Sequence, residues 1–303
     1  MQSARSSARS TILYVTDLAY QAPARRYCDE DIDLAERLRE TFGVALCHPH
    51  EAAGLMDAFD AVVIRNCGPG VQYQPEYAAF RERALASGAR VYNTLTGKAD
   101  MAGKQYIVDL FARGYPVIPT VDRLDDLDRL PGAERYVVKP KTGCDSMGLE
   151  ILARDELAGR TFDGMLIQPL VDFAYEVSFY FIDDALQYAL RTPDTGERWK
   201  LERYEPTAAD VAFARCFVAW NAIAHGIQRV DACRTRTGEL LLVEVEDHNP
   251  YLSLDLLDEA TREAFVANMK ESLRGLLAKR PMTMAHNPGS AASRSESSSA
   301  AGD

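Results

Sequence analysis

At 303 residues the chain exceeds the usual size of a single domain, so two or three lobes with a sizeable core are expected. Its 34 basic residues against 45 acidic ones leave a formal charge of -11, which argues against binding to nucleic acid or to an anionic membrane surface. Any anionic substrate would have to be met by local basic residues.

Six cysteines (Cys28, Cys47, Cys67, Cys144, Cys216 and Cys233) form no CxxC pair and no cluster with zinc-ligand spacing, so they read as reduced thiols of a cytoplasmic protein. The Arg/Ser-rich opening is followed by no apolar run of signal-peptide length. Nowhere do about 18 apolar residues run together, so neither secretion nor membrane spanning is expected. Residues 1–10 and the Ser/Ala/Gly tail 281–303 are expected to be disordered.

Residues 11–95 alternate between strand and helix patterns. TILYVTD (11–17), VALC (44–47), AVVIRN (61–66) and RVYN (90–93) read as strands. A stripe at Ile32, Ala35, Leu38 and Phe42, closed by Gly43, predicts one helix, and a second runs from Pro75 to Gly88. That order implies an open, mostly parallel sheet whose binding crevice lies at the carboxyl ends of its strands. The loop there, DLAYQAPARRYCDED, is long for such a connection and carries Tyr20, Arg26, Tyr27 and Asp29 as candidate substrate contacts. Arg65, ending an apolar strand, reads equally as a buried ion pair or as an anion contact. GPG (68–70) lacks the third glycine of a dinucleotide fingerprint and reads as a turn.

The segment 99–116 reads as helical, with Gly114 as its C-cap, Pro116 beyond it and Lys104 inside its apolar arc, where a lysine must snorkel or meet an anion. Three short strands follow: YVVKPK (136–141), LEIL (149–152) and MLIQPLV (165–171). Lys139 and Lys141 share a face and precede the loop TGCDSMG, an arrangement able to hold polyphosphate, although a solvated hairpin carries lysines as readily. No GxxxxGK[ST] phosphate loop is present. A hairpin (176–192) turns at Asp183 and Asp184. A basic stretch with Arg198, Lys200 and Arg203 then precedes a helix capped at Thr207 and running to Gly226.

The stretch LLVEVEDHNPYLSLD (241–255) puts carboxylates into an apolar strand. Strict alternation places Leu242, Glu244 and Glu246 on one face. GIQRVDAC (226–233) and GELLLVEVE (238–246) read as a hairpin. With an even loop Asp231 faces Glu244, and an odd loop removes that pairing. Like charges facing across strands favour a cation between them, and an all-oxygen set suits a hard ion such as Mg²⁺. Glu246 and Asn249 remain alternatives for completing it. His248 is expected to pack or cap the loop.

The ordered set of Lys104, VVKPKTGCDSMG, IQPLV and RVDA…VEVEDHNP resembles the ATP-grasp superfamily. The resemblance implies an ATP-grasp fold of mixed α/β and α+β class: an N-terminal open parallel domain (11–95), an N-lobe (96–170) and a C-lobe (171–280). It implies ATP and Mg²⁺ as cofactors. Lys104, Lys139 and the loop carrying Ser146 match the phosphate contacts; Gln168, Pro169, Leu170 and Val171 match the adenine segment, with Glu176 near the ribose. Asp231 and Glu244 match the magnesium carboxylates.

TDLAYQ, RRYCDEDI, GKADMAGKQY, GYPVIPTVDRLDDLDRLP and NPYLSLDL look most like the cyclo-ligases that close O-ureido-D-serine to D-cycloserine, in antibiotic biosynthesis. The implied route is ADP-forming activation of a carboxylate as an acyl phosphate, then ring closure. Arg198, Lys200 and Arg229 are candidates for the acyl phosphate, and Arg65 and Asn93 join the substrate contacts. The partner is then a small amino acid derivative; a homodimer is left open. An intermolecular amino acid or peptide ligase of the glutathione synthetase type is the alternative, and a regulatory nucleotide-binding module a third.

Overall fold

A computed structural model describes residues 9–18, 21–22, 25–65, 73–143, 148–193 and 200–279, and for 21–22 and 25–27 the backbone alone. The chain opens with β1 (Thr11–Val15), a two-residue ladder of β2 (Gln21–Ala22) and β3 (Arg25–Arg26), and α1 (Tyr27–Leu38). Next come β4 (Gly43–Cys47), α2 (Pro49–Leu55), β5 (Ala61–Ile64), α3 (Gln74–Ser87) and β6 (Val91–Tyr92). The four longer-range strands form a parallel sheet in the order β4-β1-β5-β6. Ile12, Leu13, Tyr14 and Val15 are all buried, as a central parallel strand covered on both faces requires. The expected helices are both present, with one shifted. Helix α1 stops at Leu38, Phe42 lies beyond it, Gly43 opens β4, and Ile32 is exposed; the buried side of α1 is Leu34, Ala35 and Leu38. Asp29, Glu30 and Asp31 therefore belong to the helix and not to the preceding loop.

The expected helix 99–116 is two pieces. A 3-10 turn, Asp100–Ala102, ends at Gly103 in the left-handed region (φ 87), and α4 (Gln105–Ala112) begins after it. Glycine tolerates that backbone and so divides what hydrophobic periodicity reads as continuous. Strands β7 (Arg135–Pro140), β8 (Glu150–Ala153) and β9 (Met165–Pro169) form an antiparallel sheet in the order β8-β7-β9. Tyr136, Val138, Leu152 and Ile167 pack beneath it with Val121 and Leu130.

Strands β10 (Phe173–Ile182), β11 (Ala185–Thr192) and β12 (Glu202–Arg203) are followed by α5 (Ala208–Asn221), β13 (Ile227–Thr235), β14 (Leu240–Glu246) and α6 (Glu259–Ala278). The five strands form a sheet in the order β12-β11-β10-β13-β14. Asp183, at φ 55, turns the β10–β11 hairpin as expected. Thr207 and Asp210 form a capping box on α5, but that helix ends at a left-handed Ala222 (φ 58) and not at Gly226.

One core joins β1 and α1 to the C-terminal part of the chain. Ile12, Tyr14, Leu34 and Leu38 pack with Phe265, Met269 and Leu273 of α6 and with Tyr180, Tyr188 and Leu190 of the five-stranded sheet. A second core packs Tyr106, Ile107 and Leu110 of α4 against Phe179, Phe217, Leu242 and Val245. Among the described residues no helix is long and apolar enough to cross a membrane.

Candidate active site

The β13–β14 hairpin overturns one expectation and recovers its consequence by another route. Thr235 N donates to Glu239 O (2.8 Å), which closes a three-residue turn of Arg236, Thr237 and Gly238 with Gly238 at φ 93. The loop is odd. Near the turn Arg234 faces Leu240, Cys233 faces Leu241 and Ala232 faces Leu242; past an irregularity at Val243, Asp231 faces Glu244 and Arg229 faces Glu246. Val243 is the extra residue of a β-bulge, and that one-residue slip offsets the odd turn. The strict alternation is corrected as well. Leu240, Leu242 and Val245 share the core, so Leu242 does not lie on the face of Glu244 and Glu246. Val245 N, next to the bulge, donates to Tyr106 Oη (2.7 Å), which satisfies a buried amide from α4.

Carboxylate oxygens of Asp231, Glu244 and Glu246 come within 4.8 Å of one another. Arg229 bridges two of them: Nε and Nη2 donate to Asp231 (2.9 and 2.8 Å) and Nη2 to Glu246 (2.5 Å), while Nη1 reaches Tyr251 O (3.0 Å). Lys104 stands at the N-terminal boundary of α4 with its own N–H bound to Lys141 O (2.9 Å). Its ammonium does not snorkel; it is 7% exposed, ion-paired to Glu244, and 3.9 Å from Asp100.

The electrostatics follow from this crowding. Burial pushes the Glu244 carboxyl up, but Lys104 and Lys139 outweigh it and hold the group at about 2. Burial raises Glu246 well above the carboxylate range, with Arg229 opposing and Asp231 and Glu244 reinforcing. Asp100 is raised to about 7, by burial first, with Lys104 opposing and the charge of Glu244 adding to it. Lys139 is held below the usual lysine range by burial and by the neighbouring Lys104, against the pull of Glu244. Four carboxylates, Asp100, Asp231, Glu244 and Glu246, thus face three cations, Lys104, Lys139 and Arg229. Crowding of carboxylates that raises Asp100 and Glu246 would be relieved by a cation, and the all-oxygen donor set fits one of the Mg²⁺ class.

The remaining candidate residues are distributed as follows. Gln168 is buried and donates from Nε2 to Thr120 Oγ1 (2.8 Å); Pro169 ends β9, Leu170 is exposed and Val171 is half-buried. Glu176 on β10 lies opposite Thr192 and Cys233, and its charge acts on Lys139. Lys141 pairs with Asp122 (2.8 Å). Arg65 takes the structural alternative: it is 4% exposed and donates to Asp31 (3.1 Å), Glu30 (3.3 Å) and Pro250 O (2.6 Å). Asn93 is also buried, its amide donating to Ile227 O and Asp247 O (both 2.6 Å) and accepting from Ile227 N (2.7 Å). Asp29 and Lys200 are exposed, and Asn249 is half-buried three residues beyond Glu246. His248 packs edge-on against Tyr77, with ring centroids 4.2 Å apart. Tyr20, Ser146 and Arg198 lie outside the described residues, as do the side chains of Arg26 and Tyr27.

Sequence names Glu30 and Asp247 only among the charged residues of their segments, and does not single out Asp100. Asp100 carried a readable signal, since it lies four residues before Lys104. Glu30 accepts from the N–H groups of Leu252 and Leu254 (2.9 and 3.1 Å), more than 220 residues away, and no local pattern announces that.

No family model matches the chain. The cycloserine biosynthesis protein DcsG of Streptomyces lavendulae is 29% identical over 238 residues, spanning 66% of this chain and 79% of that protein. A UPF0246 protein of Cupriavidus metallidurans is 26% identical over 228 residues, 69% of this chain and 83% of its own length. Among solved structures, D-cycloserine synthetase DcsG superposes with a TM-score of 0.67 at 24% identity, covering 88% of this chain and 99% of that one. The D-alanine–D-alanine ligase of Bacillus anthracis complexed with ATP gives 0.63 at 15% identity, covering 88% and 98%. The ATP-grasp ligase PsnB with a minimal precursor variant, Mg and ADP gives 0.58 at 17%, covering 86% and 99%. The chain has the fold of the ATP-grasp ligases.

Proposed function

We propose that this protein is an ATP-dependent ligase that activates a substrate carboxylate as an acyl phosphate, releasing ADP, and that it closes O-ureido-D-serine to D-cycloserine: the ureido nitrogen bonded to oxygen displaces inorganic phosphate to form the ring, and hydrolysis removes its carbamoyl group as carbon dioxide and ammonia. The observation that carries the reading is the meeting of Asp231, Glu244 and Glu246 with Lys104 and Lys139, in a fold shared with ligases described with bound ATP or with Mg and ADP. The likeness to a cycloserine biosynthesis protein supports the cyclo-ligase assignment.

Asp231, Glu244 and Glu246 would hold Mg²⁺, whose chemistry there is to neutralise phosphate oxygens during transfer. Lys104, buried, and Lys139, half-buried, supply positive charge beside that point, where low-dielectric surroundings strengthen its attraction for phosphate oxygens. Arg229, ion-paired to Asp231 and Glu246, would supply a further cation for the acyl phosphate. Positioning and charge neutralisation account for the rate without a protein nucleophile.

Incubation with ATP, Mg²⁺ and O-ureido-D-serine should yield ADP and a product of the mass of D-cycloserine. ADP released only on adding a second amino acid would favour an intermolecular ligase instead.

A further inference from the structure

We propose that Asp247 is a positioning residue: it clamps the linker of residues 93–103 to the end of β14 and thereby fixes Lys104 and Asp100 beside Glu244. The inference rests on the ligase reading for its catalytic consequence, while the clamp itself stands on geometry alone.

Asp247 follows Glu246 directly and is 0% exposed. Successive side chains point to opposite faces, so the strand end presents Glu246 to the carboxylate centre and Asp247 to the linker. Oδ1 of Asp247 accepts from Met101 N (2.7 Å); Oδ2 accepts from Ala99 N (3.2 Å) and from Asn221 Nδ2 (3.1 Å). Asn221 in turn accepts from Lys98 N (2.6 Å). The backbone carbonyl of Asp247 accepts from Asn93 Nδ2 (2.6 Å), and Asn93 also holds the N–H and C=O of Ile227. Gly97 lies so close that a Cβ there would sit 2.2 Å from Asp247 Oδ2. The linker is thus gripped at residues 93, 98, 99 and 101 by one strand end and its neighbours. Four residues lie between Ala99 and Lys104, whose N–H is tied to Lys141 O just beyond the end of β7. With both ends of the segment held, the Lys104 ammonium has little freedom except beside Glu244 and Asp100. Removing the clamp leaves its first hold on the chain slack, and misplacement of about 1 Å costs on the order of 100-fold in rate.

The test has two arms. In the nucleotide-free protein, Asp247→Asn should speed deuterium uptake at amides 99–108; unchanged uptake there overturns the clamp, whatever reaction the protein runs. With ATP, Mg²⁺ and substrate, Asp247→Asn should lose about 100-fold in kcat/KM for ATP, and Gly97→Ala, which displaces the same carboxylate, should lose it too. Thr207→Ala serves as the control, since it removes a helix cap on Asp210 and lowers stability without touching the linker. Loss in Asp247→Asn no greater than in Thr207→Ala assigns Asp247 a merely structural role and overturns the proposal. If Asp247→Asn does not fold, the uptake and kinetics of Gly97→Ala decide. Wild-type protein that neither binds nor turns over ATP refutes the ligase reading separately, and the uptake arm still decides the clamp.

Discussion

Glu244 carries two interactions at once: it is a member of the carboxylate group and the ion-pair partner of Lys104. Glu244→Gln should reduce ADP formation by about 100-fold or more, a loss at least as large as that typical of groups that merely orient metal ligands, while a cooperative thermal transition persists. Retained turnover would remove Glu244 from the proposed metal site. The same residue predicts a pH dependence. Its carboxyl titrates at about 2 in the folded chain against 4.5 when unperturbed, so the stabilisation it contributes is complete above about pH 4.5 and is lost as pH falls toward about 2. Urea unfolding of wild type and Glu244→Gln should therefore differ more at pH 7 than at pH 3, and a gap that widens in acid would contradict the sign. Alternation set Glu244 and Glu246 on one face, but the pairing of Asp231 with Glu244 was argued from an even loop that the structure does not have. Lys104 was ambiguous by pattern, because its partner lies 140 residues away in sequence.

The lesson of the hairpin concerns elements. Turn length and strand register are coupled, and the three-residue turn taken alone would set Asp231 opposite Val243. The bulge at Val243 restores the facing acids, and bulges of this kind cannot be deduced from hydrophobic alternation. Leu242, on the bulged strand, exchanges backbone hydrogen bonds with Pro116 and Ile118, so the local irregularity is supported by a segment distant in sequence. Helix ends were more legible. The capping box at Thr207 was visible as Thr followed by Asp, and Thr207→Ala should cost about 1 kcal/mol in chemical denaturation. The far end of α5 was not, since the chain uses a left-handed alanine in place of glycine. Ala222→Gly should therefore stabilise the protein by about 1 kcal/mol; a destabilised variant would argue that the alanine methyl packs usefully.

At the scale of the whole molecule, Arg65 binds separate parts of the chain together. It directly follows β5, pairs with Glu30 and Asp31 of α1, and donates to Pro250 O in the loop that follows the carboxylate strand. Arg65→Met should cost about 3–5 kcal/mol, because two buried carboxylates lose their cation. Equilibrium unfolding checks this; a loss below about 1 kcal/mol would return Arg65 to the pool of substrate contacts. The sequence by itself determined the alternating α/β unit and the order of the later strands and helices, because these depend on periodicity and spacing within a few residues. Tertiary structure alone decided that Arg65 and Asn93 bind other chain segments, that Lys141 pairs with Asp122, and that Asp247 accepts hydrogen bonds from the backbone of residues 99 and 101. Each of those outcomes follows from which distant segment supplies the hydrogen-bond partner, and a buried polar group takes whichever partner the packed fold brings within reach.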